Sequence, residues 1–117
     1  MTKFLMGFVY AFRGIVGGFE GRNMRFHGMA TLVVIFMSYY YQLSLNEWII
    51  ILILISLVWS AELVNSSVEE LSNTVRDVNK LSYRATTKSR DMVAGSVLII
   101  AIVAAVVGLI IFVPKIF

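Results

Sequence analysis

Three long apolar stretches account for most of the chain. The clearest covers residues 93–113, interrupted only by small residues, and Pro114 is predicted to end it. A second covers residues 48–64 and a third covers residues 28–45. A helix needs about 20 mostly apolar residues to cross the hydrocarbon core of a bilayer. The pattern therefore predicts three transmembrane helices, the first two joined as a hairpin by a short turn.

The first 26 residues show a different pattern, in which apolar positions recur at helical spacing among polar ones. The large apolar residues are Phe4, Phe8, Phe12, Ile15 and Phe19. Such spacing is typical of a helix that lies in the plane of the membrane surface. The alternative is a fourth span, which Arg13 and several glycines disfavour. We therefore predict that residues 1–26 form a surface helix and a cytoplasmic flank.

Composition indicates a single membrane-embedded domain over residues 1–117. Of the 117 residues, 59% are hydrophobic and the mean hydropathy is +0.85, whereas soluble domains are about 45–50% apolar. The chain has no cysteine, which excludes disulfides and thiolate sites, and one histidine, which argues against zinc. The net charge of +3 is modest, so we expect no nucleic-acid partner. The predicted class is an all-α integral membrane protein.

The distribution of basic residues predicts the orientation of the chain in the membrane. Four basic residues precede the first span: Lys3, Arg13, Arg22 and Arg25. Five more lie within the segment 65–91: Arg76, Lys80, Arg84, Lys88 and Arg90. The turn at 43–47 has none, and only Lys115 follows the last span. Because positive charge is retained on the cytoplasmic side, we expect the N-terminus and residues 65–91 in the cytoplasm and the C-terminus outside.

Polar residues on the second span continue past its apolar part. Because an α-helix has about 3.6 residues per turn, residues three, four and seven apart lie on one face. Five polar residues, which we call the polar stripe, fall within an arc of about 100° on this geometry. They are Glu62, Asn65, Ser66, Glu69 and Asn73. The sequence predicts one continuous helix whose polar stripe begins at membrane depth and extends into the cytoplasm.

The acids of the polar stripe have three interpretations. A carboxylate at the bilayer boundary is costly, and such acids usually face a bundle interior or a water-filled cavity. Glu62 and Glu69 repel each other unless a cation such as Mg²⁺ neutralises them, or unless one stays protonated or acts as a base. The non-functional alternative is a solvated helix end on which Glu62 pairs with Arg22 or Arg25. The cost of burying Glu62 favours a functional interpretation.

Basic residues near this helix are candidates for binding phosphate. Arg90 and Asp91 precede the third span, and Arg22 and Arg25 precede the first. Arginine holds phosphate well, and Asp91 could bind a metal or orient Arg90, although anchoring at lipid headgroups is the simpler interpretation. His27 is predicted to be an interface residue. Acids, phosphate-binding groups and a membrane position together favour cation-assisted phosphate chemistry on a lipid alcohol, with a nucleotide arriving from the cytoplasm.

Five motifs in the chain resemble those of a known family, two of them at residues 11–15 and 46–48. The most specific is Glu-Leu-Val-Asn-Ser-Ser-Val-Glu at residues 62–69. Residues 22–27 read Arg-Asn-Met-Arg-Phe-His, and residues 90–97 read Arg-Asp-Met-Val-Ala-Gly-Ser-Val. From about residue 8 onward, the chain resembles the prokaryotic diacylglycerol kinase and undecaprenol kinase family of small membrane kinases. The motif at 22–27 is more similar to the undecaprenol kinase branch.

The resemblance implies a homotrimer in the bacterial cytoplasmic membrane, with a surface helix and three spans in each subunit. It also implies active sites shared between subunits, ATP as phosphoryl donor, Mg²⁺ as cofactor and a lipid alcohol as acceptor. By the motif match the site residues are the base Glu62, the phosphate-binding residues Arg90, Asp91, Asn65, Arg22 and Arg25, and the metal ligands Glu69 and Glu20.

Three positions depart from the family pattern. Gly21 stands where the family usually has a metal-binding Glu, and Glu20, one residue earlier, is turned from that direction by about 100° on a helix. Asn73 replaces an Asp, and Arg90 replaces a Lys. Gly21 and Asn73 each remove a negative charge near the expected Mg²⁺. This loss leaves two hypotheses: an active lipid kinase, which we favour, and a catalytically impaired relative that binds nucleotide or lipid or regulates a partner. A proton- or ion-conducting subunit is a weaker third.

Overall fold

The computed structural model describes residues 2–117 as an all-α protein, in agreement with the predicted fold class. Its α-helices are α1 (Thr2–Gly18), α2 (Arg22–Tyr40), α3 (Leu45–Asp77) and α4 (Thr87–Ile116), with a short 3₁₀ helix at Tyr83–Thr86 before α4. Helices α3 and α4 make the most extensive contact, α2 packs on α3, and α1 touches α3 at its end.

Helix α1 is largely unpartnered, and none of its residues is buried. Phe4, Phe8 and Phe12 are all exposed, as a helix that places its apolar face in lipid requires. The contact with α3 is at Gly18, where an added Cβ would collide with the side chain of Leu63. A larger residue at position 18 would therefore require the Leu63 side chain to move. The position of α1 in the membrane surface stays a prediction.

The α2–α3 hairpin is confirmed, but its helices begin earlier than the apolar pattern suggested. Helix α2 begins at Arg22 and ends at Tyr40, and α3 begins at Leu45. Ser44 caps α3: its Oγ accepts from the backbone N–H of Glu47 at 3.3 Å, and Glu47 Oε1 accepts from the N–H of Ser44 at 2.9 Å. This reciprocal pairing satisfies backbone donors that the helix start leaves free, so α3 begins at Leu45, three residues before the apolar stretch that starts at Trp48.

Helix α3 is a single helix of 33 residues, which confirms that the second apolar stretch and the polar stripe are continuous. At about 1.5 Å per residue it is about 50 Å long, close to the 55 Å longest dimension of the chain. Since the hydrocarbon core of a bilayer is about 30 Å thick, α3 is long enough to extend well beyond it.

Helix α4 does not end at Pro114, so that prediction was wrong. The helix runs through Pro114 to Ile116, and the N–H of Phe117 still donates to Val113 O at 3.1 Å. Proline removes one backbone hydrogen bond and crowds the preceding turn. In the last turn of α4 few further helical bonds remain to be broken, so the helix tolerates it. Helix α4 also begins at Thr87, before its apolar stretch.

Two helical segments are long and apolar enough to cross a membrane, Leu45–Asp77 and Tyr83–Ile116. Helix α2 does not meet the same criterion within residues 2–117, because its first turns contain Arg22, Arg25 and His27. Three spans therefore remain a prediction. Large apolar side chains are exposed along all four α-helices, which is expected of a protein whose solvent is partly lipid.

The buried apolar cluster lies where the hairpin turn meets the end of α4, a region we call the hairpin end. Its buried members are Leu43, Ile51, Ile111 and Phe112. At the same end Lys115 Nζ lies 3.3 Å from Glu47 Oε1, which links the end of α4 to the start of α3. The hairpin end thus fixes α3 beside α4.

We expect Ser44→Ala to lower the free energy of unfolding by about 1 kcal/mol, because it removes the cap of α3. Unfolding by SDS in mixed micelles measures the change. Ser56→Ala is the matched control, since the Ser56 hydroxyl only donates to Ile53 O within the helix at 2.8 Å. Equal effects of the two substitutions would show that the cap contributes nothing specific.

Candidate active site at the α2–α3 contact

Glu62 is buried on α3, with 2% of its surface exposed. The group that faces it is His27 of α2, whose Nε2 lies 3.7 Å from Glu62 Oε2. Burial of a charged carboxylate is strongly unfavourable unless a polar or charged partner compensates it. The α2–α3 contact therefore brings together the two most deeply placed titratable side chains of this region.

The predicted alternative pairing of Glu62 with Arg22 or Arg25 is wrong. Both arginines are exposed, whereas Met24 of the same turn is fully buried. On a helix, His27 lies about 60° from Met24, while Arg25 and Arg22 lie about 100° and 160° away. The face of α2 that packs on α3 therefore presents His27. The spacing of Met24 and His27 was visible in the sequence, but the element they face was not.

The polar stripe is partly buried: its first members are covered by neighbouring residues, and its later members are exposed. Asn65 is 7% exposed, and its Nδ2 donates to Glu69 Oε1 at 3.3 Å, while Glu69 itself is exposed. Farther along α3, Asn73 is exposed like Glu69, and the neighbouring Ser72 is buried. Residues 62, 65, 69 and 72 are three or four apart, so the stripe follows the helical period closely.

Gly21 faces the polar stripe, and Glu20 is exposed. A Cβ added at Gly21 would lie 3.9 Å from Ser66 Oγ and 3.3 Å from the carbonyl oxygen of Gly18. Within residues 2–117, no three His, Asp or Glu side chains lie close enough together to hold a metal ion. Mg²⁺ is commonly held by one or two carboxylates together with substrate phosphates. The oxygen donors of Glu69 and Asn65 fit that mode of binding.

Arg90 and Asp91 lie at the start of α4, where Asp91 is exposed. The Arg90 guanidinium stacks on the Tyr83 ring, 3.7 Å from its centroid, and its Nη2 donates to Tyr83 O at 2.9 Å. Across residues 2–117, no hydrogen bond or ion pair joins these two residues to the polar stripe. Within one chain, neither hydrogen bonds nor ion pairs therefore link Arg90 and Asp91 to the polar stripe.

A second arginine lies near the same aromatic ring. The Arg76 guanidinium is 5.2 Å from the centroid of Tyr83, and Arg76 Nε lies 2.7 Å from Asp77 Oδ1. This hydrogen bond lowers the pKa of Asp77. Positive charge from α3 and α4 is thus gathered around Tyr83, in the polar segment that follows the stripe.

A groove between α2, α3 and α4 leads away from the site. It has a volume of about 620 Å³, and its lining includes His27, Val34, Ile55, Ala105 and Phe112. Apart from His27 and Thr31, the lining side chains are apolar. His27 thus borders both the buried carboxylate and an apolar groove.

These features define a class of protein: a small all-α membrane protein with a buried acid where an apolar helix becomes polar. The sequence model of the prokaryotic diacylglycerol kinase family matches residues 9–112. The undecaprenol kinase of Bacillus subtilis (strain 168) is 34% identical over 116 residues, covering 98% of this chain and 92% of that protein. Among solved structures, none matches the chain significantly.

The chain belongs to the prokaryotic diacylglycerol kinase family. Because this is a family of lipid kinases, the protein is an enzyme of that type, and the resemblance drawn from its motifs is confirmed. As a kinase of this family it uses ATP and acts on a lipid. The individual roles of the site residues stay predictions.

We expect Gly21→Glu to lower the Mg²⁺ concentration that gives half-maximal activity, because the new side chain would begin beside Ser66, three residues before Glu69 on the polar stripe. A Mg²⁺ titration of phosphoryl transfer measures this. Gly17→Glu adds the same charge where a Cβ meets nothing within 4 Å, and it serves as the control. An unchanged titration for Gly21→Glu would show that another group already fills the position.

Proposed function

We propose that this protein transfers the γ-phosphoryl group of ATP to the hydroxyl of a membrane lipid alcohol at the cytoplasmic face of the bacterial inner membrane. The observation that carries the proposal is the burial of Glu62 beside His27, at the point where α3 changes from apolar to polar. A base placed there can meet a hydroxyl from the lipid side and a phosphate from the aqueous side. An acid with only a structural role would gain nothing from this costly position.

In the proposed reaction Glu62 accepts the proton of the lipid hydroxyl, and the hydroxyl oxygen forms a bond to the γ-phosphorus. The bond between that phosphorus and the β,γ-bridging oxygen breaks, and ADP carries away the electron pair. Such transfer relies mainly on positioning and on neutralising charge. Mg²⁺, when bound, neutralises phosphate charge. Glu69 is the proposed ligand from the stripe, with Glu20 the second acid of the prediction.

The proposed phosphate contacts are the exposed Arg22 and Arg25, together with Asn65, Arg90 and Asp91. Since Arg90 is tied to Tyr83 within its own chain, it can approach a nucleotide on the polar stripe only by leaving Tyr83 or by facing a neighbouring subunit. A homotrimer with shared sites, as the motifs imply, would supply the second arrangement. We propose undecaprenol as the acceptor, because a relative named undecaprenol kinase is 34% identical over nearly the whole chain.

We expect Glu62→Gln to reduce turnover at least 100-fold, because general-base catalysis typically contributes a factor of about 10²–10⁴. The assay follows labelled phosphate from ATP to undecaprenol or to diacylglycerol, offered separately with Mg²⁺ to purified protein. Glu70→Gln is the matched control, since Glu70 is an exposed acid of the same helix that lies off the stripe.

Near-normal turnover in Glu62→Gln would show that Glu62 is not the base. Transfer to diacylglycerol alone would contradict undecaprenol as the acceptor. If folded wild-type protein transferred phosphate to neither lipid, Gly21 and Asn73 would mark a lost metal site. The second hypothesis, a binding or regulatory relative, would then replace the kinase.

A further inference from the structure

The distance between His27 and Glu62 is itself informative. At 3.7 Å, His27 Nε2 and Glu62 Oε2 are too far apart for a direct hydrogen bond. His27 is also the only basic group within 4.0 Å of the Glu62 carboxylate among residues 2–117. The two side chains approach each other from different helices without forming a hydrogen bond.

No side-chain nitrogen or oxygen among residues 2–117 is completely buried without a hydrogen-bond partner. Since no hydrogen bond to the Glu62 carboxylate occurs in that part of the chain, its oxygens must border accessible space. The side chain is thus almost enclosed, while its carboxylate oxygens keep some contact with accessible space. Because Nε2 and Oε2 are 3.7 Å apart, a single oxygen atom placed between them would lie within hydrogen-bond distance, about 2.8 Å, of both.

We propose that His27 and Glu62 together form a two-point site for the hydroxyl of the lipid acceptor. A hydroxyl has one donor and two acceptor positions. It would donate its hydrogen to Glu62 Oε2 and accept a hydrogen bond from the Nε2–H of His27. This inference rests on the proposed lipid kinase function and makes His27 a second catalytic residue, because it touches the reacting oxygen.

The two contacts have different roles during transfer. As the oxygen bonds to the γ-phosphorus, its proton passes to Glu62 and ADP leaves with the electron pair of the broken P–O bond. His27 keeps its own proton throughout, and its N–H holds the oxygen and stabilises the negative charge that develops on it. A fixed donor aimed at developing charge commonly contributes a factor of about 10²–10³.

The position of His27 also suits an acceptor that comes from the membrane. Its side chain is 18% exposed, against 3% for Glu62, and it lines the apolar groove between α2, α3 and α4. A hydroxyl approaching from the apolar side would therefore meet His27 first and Glu62 behind it. A nucleotide on the polar stripe, by contrast, would lie toward Asn65 and Glu69.

The test compares His27→Leu with His27→Gln, with both ATP and undecaprenol concentrations varied. We expect His27→Leu to reduce kcat/KM for the lipid about 100-fold with KM for ATP unchanged. His27→Gln should retain activity within about tenfold of wild type, because the glutamine amide can place an N–H near the position of Nε2. Met29→Leu is the control, since Met29 is an exposed residue of α2.

Equal impairment in His27→Leu and His27→Gln would overturn the proposal, because it would indicate a packing role. Unchanged lipid kinetics in His27→Leu would overturn it directly. If His27→Leu does not fold, His27→Asn replaces it. We then expect His27→Asn, whose amide is shorter, to be at least tenfold less active than His27→Gln. Equal activity of these two variants would contradict the proposal. The activity of the wild type is measured before that of any variant. If the wild type transfers phosphate to no lipid, the proposed function is contradicted together with this inference.

Discussion

The structure depends on the burial of one carboxylate, that of Glu62, between two helices of a membrane protein. Removing a charge from water without a partner is expensive, and in a bundle this small few groups can compensate it. The only nearby cation within residues 2–117 is His27, which is charged only when protonated. The α2–α3 contact therefore encloses an acid whose carboxylate makes no hydrogen bond within residues 2–117.

Helix α3 connects this site to the rest of the protein. Its first turn is capped by Ser44 and linked to the end of α4 through Glu47 and Lys115. Its middle turns pack against α2 and α4, and its last turns bear the polar stripe. Because the whole helix is continuous, the hairpin end and the site end cannot move independently along it. Rigid placement matters for phosphoryl transfer, in which the protein supplies mainly position and charge.

Much of the apolar surface of the chain is not covered by the packing of its own helices. Helix α1 has no buried residue, and the groove beside α2 and α4 is open along apolar side chains. In a bilayer, lipid or neighbouring protein covers such surfaces, and the unfavourable exposure of apolar side chains to water does not arise. The same property brings a lipid acceptor to the site, since the apolar surroundings reach His27 directly. At the start of α4, Arg90 stacks on Tyr83, and among residues 2–117 it makes no hydrogen bond or ion pair with the polar stripe.

The apolar stretches, the helical spacing of α1 and the period of the polar stripe determined the all-α class and the continuity of α3. They could do so because helix formation and membrane burial depend on residues near one another in sequence. Helix ends were less accurate, since the Ser44 cap and the tolerance of Pro114 in a last turn depend on hydrogen bonds rather than on hydropathy. Membership of the lipid kinase family also followed from local motifs, above all residues 62–69.

Only the tertiary structure decided which group faces Glu62. From the sequence, Arg22 and Arg25 were the predicted partners of Glu62, and His27, in the same motif, was predicted to be an interface residue. With Met24 buried, the face of α2 containing His27 is turned inward and both arginines are left outside. Likewise, the burial of Ser72 beside the exposed Asn73 follows from how neighbouring elements cover α3. Such choices depend on the rotation of one helix against another, which residue type and spacing alone do not specify.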